Sequence, residues 1–278
     1  MTSRAKLDGR PTMHAADDLP SAPAPETSWS PIVELRQYTL HPGKRDVLID
    51  LFDREFIESQ EALEMRVIGQ FRDLDDPDRF VWLRGFRDMS SRAQGLQAFY
   101  GGPVWKQHRD AANATMIDSD NVLLLRPARA ASGFSRVGSV RPPQGSIRPR
   151  SGHVLANIYS IGEPSETVFI DFVEDDLRSA LRDVGAVVLA YFVTERSRNN
   201  FTALPVREGE HVFAWFAGFP DSTKKYGTIP GRGTLEAVIP AAPGRQRPLQ
   251  VLRLLPTARS ALTGSSGACR AISLSPSS

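Results

Sequence analysis

The sequence predicts an α+β fold: two tandem βαββαβ units that together form an intramolecular α+β barrel. Three observations carry that expectation. Hydrophobic residues alternate in short runs and then recur at three- and four-residue spacing, the two signatures of strand and helix. The same order of patterns occurs twice. The two occurrences also align at a fixed offset, as internal copies do.

The first pattern opens with IVELRQYTL at Ile32 and the second with HVLANIYSI at His153. Val33, Tyr38 and Leu40 stand 121 residues before Val154, Tyr159 and Ile161. The following stretch holds Leu48, Leu51, Phe52, Phe56, Gln60 and Leu63 on one helical face. Phe169, Phe172, Val173, Leu177, Leu181 and Val184 repeat that face at the same offset. RVIGQFRDL then matches VVLAYFVTE, with Phe71 on Phe192. FVWLRGFRD from Phe80 matches FAWFAGFPD from Phe213 at an offset of 133, so the second hairpin has the longer loop. VLLLRPAR from Val122 resembles VLRLLPTAR from Val251 and supplies the last strand of each unit. Between them, the first unit carries a segment that is helical at both ends and broken at Gly101-Gly102-Pro103. Glycine ends one helix there and proline opens the next. Strand, helix, two strands, helix and strand make the ferredoxin-like split unit, whose sheet has one face under its helices and needs a cover for the other. Packing the two sheets together provides it.

Three segments fall outside this pattern. Residues 1–30 are small, polar and proline-rich, and are expected to be a disordered extension. Residues 128–151 hold five Arg, three Pro and no acid, and read as a linker between the units at 31–127 and 152–260. Residues 261–278 read as a Ser/Gly-rich tail. After FAGFPD the second unit runs through four Gly and four Pro between residues 222 and 249, which is incompatible with a long second helix.

Composition narrows the class of function. The chain has 278 residues, 41% hydrophobic and 24% charged, with a net charge of +2. That balance excludes a dedicated polyanion binder, and no nucleic-acid partner is expected. No apolar run approaches the ~18–20 residues of a membrane helix, so no membrane partner is expected and the cytoplasm is the expected location. The single Cys269 excludes an internal disulfide and a cysteine zinc cluster. His14, His41, His108, His153 and His211 show no metal-ligand spacing, and no metal site is expected. Walker, GxGxxG and GxSxG motifs are absent. Asp73, Asp75, Asp76 and Asp78 form an acidic turn without the glycine and distal Glu of a calcium loop, and read as a solvated hairpin.

Two groups of residues carry candidate chemistry. On the helix after the Gly-Gly-Pro break, Trp105, Ala112 and Met116 project along one line, with His108 and Arg109 on opposite flanks. Trp105 would wall a cleft, with His108 at its edge as general base or haem ligand and Arg109 as a ligand contact; helix packing with a boundary histidine is the plainer account. In VELRQYTL, Glu34, Arg36 and Tyr38 share the face opposite Val33 and Leu35. If that set faces the barrel interior, Arg36 and Tyr38 could hold a carboxylate or phenolic ligand, with Tyr38 as a second catalytic candidate. The plainer account is a buried Glu34–Arg36 ion pair that sets sheet pairing. The second unit has Leu155 and Asn157 at the positions of Glu34 and Arg36 and keeps Tyr159.

VELRQYTLHPG, FVWLRGF and AFYGGPVWKQHRDAANATMIDSDNVLLLRP resemble bacterial NIPSNAP-domain proteins. The resemblance covers residues 31–127 well and 153–220 more weakly. It implies the dimeric α+β barrel group, whose members include cofactor-independent monooxygenases, haem-degrading enzymes, aldoxime dehydratases, stress-response barrels and plain ligand binders. Such kinship of fold does not fix a reaction. The expectation is a protein that binds a small apolar or aromatic ligand or a protein partner, with a homodimer as one form of partnership. The alternative is a small oxidoreductase with its site in the first unit. No cofactor is expected, haem being the one alternative.

Overall fold

The computed structural model describes residues 30–135, 140–148, 150–162, 165–220, 228–229 and 233–266. The expected N-terminal extension and most of the expected tail, Cys269 included, lie outside the described residues. The chain is a mixed α and β protein with an antiparallel sheet, as its patterning predicts.

The first half runs β1 (Ile32–Leu40), α1 (Arg45–Leu51), a π-helical turn (Phe52–Phe56), α2 (Ile57–Glu61), β2 (Arg66–Asp73), β3 (Arg79–Phe86), α3 (Met89–Gly101), α4 (Pro103–Asn113) and β4 (Met116–Pro127). The second half runs β5 (His153–Ser160), α5 (Glu166–Asp171), a second π-helical turn (Phe172–Leu177), α6 (Arg178–Arg182), β6 (Val187–Thr194) and β7 (Val212–Phe219). A two-stranded ribbon, β8 (Thr228–Ile229) and β9 (Gly233–Thr234), the short α7 (Leu235–Val238) and β10 (Gln250–Pro256) complete it. Among the described residues no long helix follows β7.

Eight strands close into a barrel in the order β1-β3-β2-β10-β5-β7-β6-β4. Each half contributes four neighbouring strands, and the halves are hydrogen-bonded edge to edge through β2 with β10 and β4 with β6. Closure removes the bare sheet edges that an open sheet would expose. The registers of the two halves coincide. Arg36 lies opposite Trp82 and Tyr38 opposite Phe80, as Asn157 lies opposite Trp215 and Tyr159 opposite Phe213.

Strand alternation sorts the side chains into two environments. Val33, Leu35, Val81, Leu83, Ile158 and Phe216 are among those that fill the barrel interior. The opposite faces pack under the helices, one apolar cluster for each half. Glu34, Arg36 and Tyr38 belong to the helix-covered face, because Val33 and Leu35 take the inward one. The condition on which they would line an interior chamber is therefore not met.

Two segments read from composition as linker and tail help to fill that interior. Phe134 is buried between the rings of Phe192 and Phe216, each with its centroid 5.1 Å away. Leu262 is buried in the same cluster. Two arginines, Arg141 within the first segment and Arg259 just before the second, make contacts with the first half. Arg141 donates to the Glu61 carboxylate at 2.9 Å, and Arg259 donates to Glu58 at 3.1 Å. Among the described residues no helix is long and apolar enough to cross a membrane.

Candidate functional site

Helix starts and stops set the site. Asp88 caps α3 by accepting from the Ser91 amide at 2.7 Å, while the Ser91 hydroxyl accepts from the Asp88 amide at 3.1 Å. Gly102 ends α3 and caps α4, with Pro103 in its first turn. A Cβ at Gly102 would come within 2.7 Å of the Ala98 carbonyl, so the break needs glycine there. The helix α4 stops at Asn113, where the Thr115 hydroxyl and amide turn back to the Ala112 carbonyl at 2.6 and 3.0 Å. Met116 thus belongs to β4 rather than to the helix expected to carry it.

Between these helices and the sheet lies a cavity of about 30 Å³, room for roughly one water molecule. Its floor is Tyr38 of β1 and Trp82 of β3; its roof is Phe52 and Phe56 of the first π-helical turn. Phe99, Tyr100 and Trp105, on either side of the Gly-Gly-Pro break, form its flank. The rings meet mostly edge to face, the geometry their quadrupoles favour: Tyr38 with Trp82 at 6.0 Å, Phe52 with Trp82 at 4.8 Å and Tyr100 with Trp105 at 4.8 Å.

A fully buried ionic cluster sits under the same helices. Glu34 Oε2 accepts from Arg36 Nη1 at 3.0 Å and from Arg84 Nη2 at 2.7 Å, and its Oε1 accepts from Arg92 Nε at 2.7 Å. All four side chains have zero exposure. Burial alone would raise the Glu34 pKa, but the guanidinium groups of Arg84, Arg36 and Arg92 hold it well below the usual carboxylate range. Arg84 also donates to Gln60 at 2.9 Å. Arg36 Nε donates to the Tyr38 hydroxyl at 3.1 Å. Burial raises the Tyr38 pKa even against that neighbouring cation, so the phenol keeps its proton while it accepts from Arg36.

The second half covers this cluster. The long connection between β6 and β7 brings Asn199 and Asn200 to Arg92 Nη1, at 3.0 and 2.8 Å. Phe201 follows and stacks on Tyr100 at 5.9 Å. A wider cleft of about 510 Å³ is lined by other residues of this connection and by Leu124 of β4. Two of its arginines engage acids, Arg207 with Glu210 at 2.7 Å and Arg196 with Glu166 at 3.2 Å.

The structure thus brings Tyr38 and Trp105 to one cavity, with Arg36 hydrogen-bonded beneath. His108 is not among the lining residues; its Nε2 lies 3.6 Å from a Glu55 carboxylate oxygen, and its ring meets Phe56 edge-on at 6.3 Å. Arg109 is exposed and pairs with Asp110 at 3.2 Å. Among the described residues no group of three or more His, Cys, Asp or Glu could hold a metal ion. The acidic turn is held by Arg79 on Asp73 and Asp76, at 3.2 and 3.0 Å, and by Arg45 on two of its carbonyls. Sequence reading did not single out Arg84, Arg92, Asn199 or Asn200. Arg84 carried a signal, because the matching position of the second half is Ala217.

Residues 33–132 match the model of the NIPSNAP family. No curated protein matches the chain. Among solved structures, an uncharacterised NIPSNAP domain protein of Burkholderia xenovorans is 20% identical over 34% of this chain and 93% of its own, with a TM-score of 0.32. A NIPSNAP family protein of unknown function from Agrobacterium tumefaciens is 21% identical over 35% of this chain and 88% of its own, with a TM-score of 0.33. A proposed monooxygenase of Lactobacillus acidophilus is 12% identical over 82% of this chain and 94% of its own, with a TM-score of 0.46.

Proposed function

We propose that the protein is a small-molecule binder that holds a planar aromatic ligand between the helices and the sheet of its first half. The observation that carries this reading is the aromatic cavity floored by Tyr38 and Trp82 and flanked by the Gly101-Gly102-Pro103 break. Flat apolar walls with a few inward polar groups are the usual composition of a ligand site. Tyr100 and Trp105 are the half-buried walls, and they stand where the chain changes helix. The cavity of about 30 Å³ holds roughly one water molecule, so a ring-sized guest requires these two rings to turn aside.

This reading favours a small molecule over a protein partner and binding over oxidoreductase chemistry. Tyr38 keeps its proton, and His108 is engaged by Glu55 away from the lining. We further read the two halves as tandem ferredoxin-like copies, a reading supported by their equal strand order and register. The binding site belongs to the first copy.

The test is titration with phenol, followed by nuclear magnetic resonance of the tryptophan indole N–H groups, assigned with Trp→Phe variants. The signals of Trp82 and Trp105 should move and that of Trp215 should stay. A titration that leaves Trp82 unmoved, or that moves only Trp215, rejects the site.

A further inference from the structure

We infer that the ligand taken by this site is an aromatic carboxylate, with its oxyanion on the inner side against Arg36 and Arg92 and its ring among the aromatic walls. The inference rests on the binding reading above and adds the charge of the ligand to it.

The first argument is charge. Three guanidinium groups, Arg36, Arg84 and Arg92, surround one carboxylate, Glu34, and all four are fully buried. Arginine does not give up its proton in a protein. The cluster therefore carries an excess of positive charge in a place where unpaired charge is strongly unfavourable.

The second argument is the kind of hydrogen bond that is missing. Arg36 Nη2 and Arg92 Nη2 are buried without a partner among the described residues, as are the indole N–H groups of both Trp82 and its counterpart Trp215. All are N–H donors, and the two guanidinium donors belong to the first half alone. The Tyr38 hydroxyl accepts from Arg36 and has its own hydrogen left to donate. The cluster is thus short of acceptors and of negative charge together, which a planar carboxylate supplies in one group. Trp82 and Tyr38 are cavity walls, and the Arg36 guanidinium carbon lies 5.7 and 5.5 Å from their ring centroids.

The third argument is that the fold does not require these charges. At the same register the second half has Leu155, Asn157 and Ala217 in place of Glu34, Arg36 and Arg84, while Trp215 and Tyr159 repeat Trp82 and Tyr38. The aromatic frame is common to both halves; the cationic set is confined to the one with the cavity.

The test compares benzoate, ionised at pH 7, with its neutral isostere benzamide, using the Trp82 indole signal and calorimetry on the full chain. Benzoate should bind at least about tenfold more tightly, the worth of one charge-assisted hydrogen bond. In an Arg36→Met variant that preference should shrink. Because a lone change can unfold a buried ionic cluster, a second variant replaces it as a set: Glu34→Leu, Arg36→Asn and Arg84→Ala, as in the second half, with Arg92→Met. It should lose the preference for benzoate altogether. Equal affinities in the native chain, or a preference that survives the fourfold change, overturns the inference. Binding of benzamide as tight as that of benzoate removes the oxyanion and leaves the aromatic site standing; if neither compound moves Trp82, both readings fall.

Discussion

Arg92 of α3 reaches down to β1 and donates from Nε to Glu34 Oε1 at 2.7 Å, with neither side chain exposed. This contact ties the helix layer to the sheet, and it depends on a single carboxylate that also serves Arg36 and Arg84. Glu34→Gln should therefore cost about 3–5 kcal/mol, because it leaves buried cations without compensation. Chemical denaturation at pH 7 checks it. The native chain should also lose stability as pH falls below the ordinary glutamate value of 4.5. A carboxyl held low in the folded state stabilises above its unfolded pKa and ceases to do so as it is protonated.

Asp53 should behave in the opposite sense. Burial pushes its carboxyl up to about 6, against the pull of Arg259, Arg141 and Arg72 and with Asp50 acting alongside burial. The folded chain then holds a proton that the unfolded chain has released between the ordinary value of 3.8 and about 6. Stability from this group falls as pH rises through that window and stays lower above it. Asp53→Asn should be more stable than the native chain at pH 7.5 by on the order of 2–3 kcal/mol, and the difference should vanish near pH 4. Denaturation midpoints across pH 4–8 give the answer; parallel curves would contradict it.

The cover over the ionic cluster is testable apart from the cluster. Phe201 stacks on Tyr100, and Leu204 packs on the same helix layer. Phe201→Ala should cost about 0.5–1.5 kcal/mol globally. Its larger effect should be local: faster hydrogen exchange at the backbone amides of residues 197–204, with the barrel strands unchanged.

Phe134 provides the fourth test. Its ring is buried between Phe192 and Phe216 inside the barrel. Phe134→Ala should cost about 3–5 kcal/mol, as for a core aromatic. A denaturation midpoint equal to that of the native chain would show that residues 128–135 do not help to fill the interior.

The elements were legible because their signals are local. Alternation in VELRQYTL and FVWLRGF and the three-four spacing from Leu48 to Leu63 follow from backbone geometry alone. The Glu34–Arg36 pair was visible for the same reason, since residues two apart share a strand face. What escaped reading depends on contacts far apart in the chain. Arg92 joins Glu34 across 58 residues and Asn199 across 107, and nothing beside either residue marks it. Whether Glu34, Arg36 and Tyr38 faced the interior or the helices was likewise undecidable from alternation, which gives two faces without naming them. The stretch from 128 to 151 has the composition of a linker, and its one aromatic, Phe134, was the sign of an anchored segment.

The position of β10 has a consequence for synthesis. Leu254 pairs with Asp73 on one side and with Val154 on the other, so the last strand is the keystone between β2 and β5. While the chain emerges from the ribosome, both neighbours present naked edges until residues 250–256 are free. A transcript that stops short of Gln250 would yield a product with two sticky flanks, prone to pair with its own kind. The ring is thus sealed only when this strand, which follows the seven other barrel strands in the chain, reaches its place between the two halves.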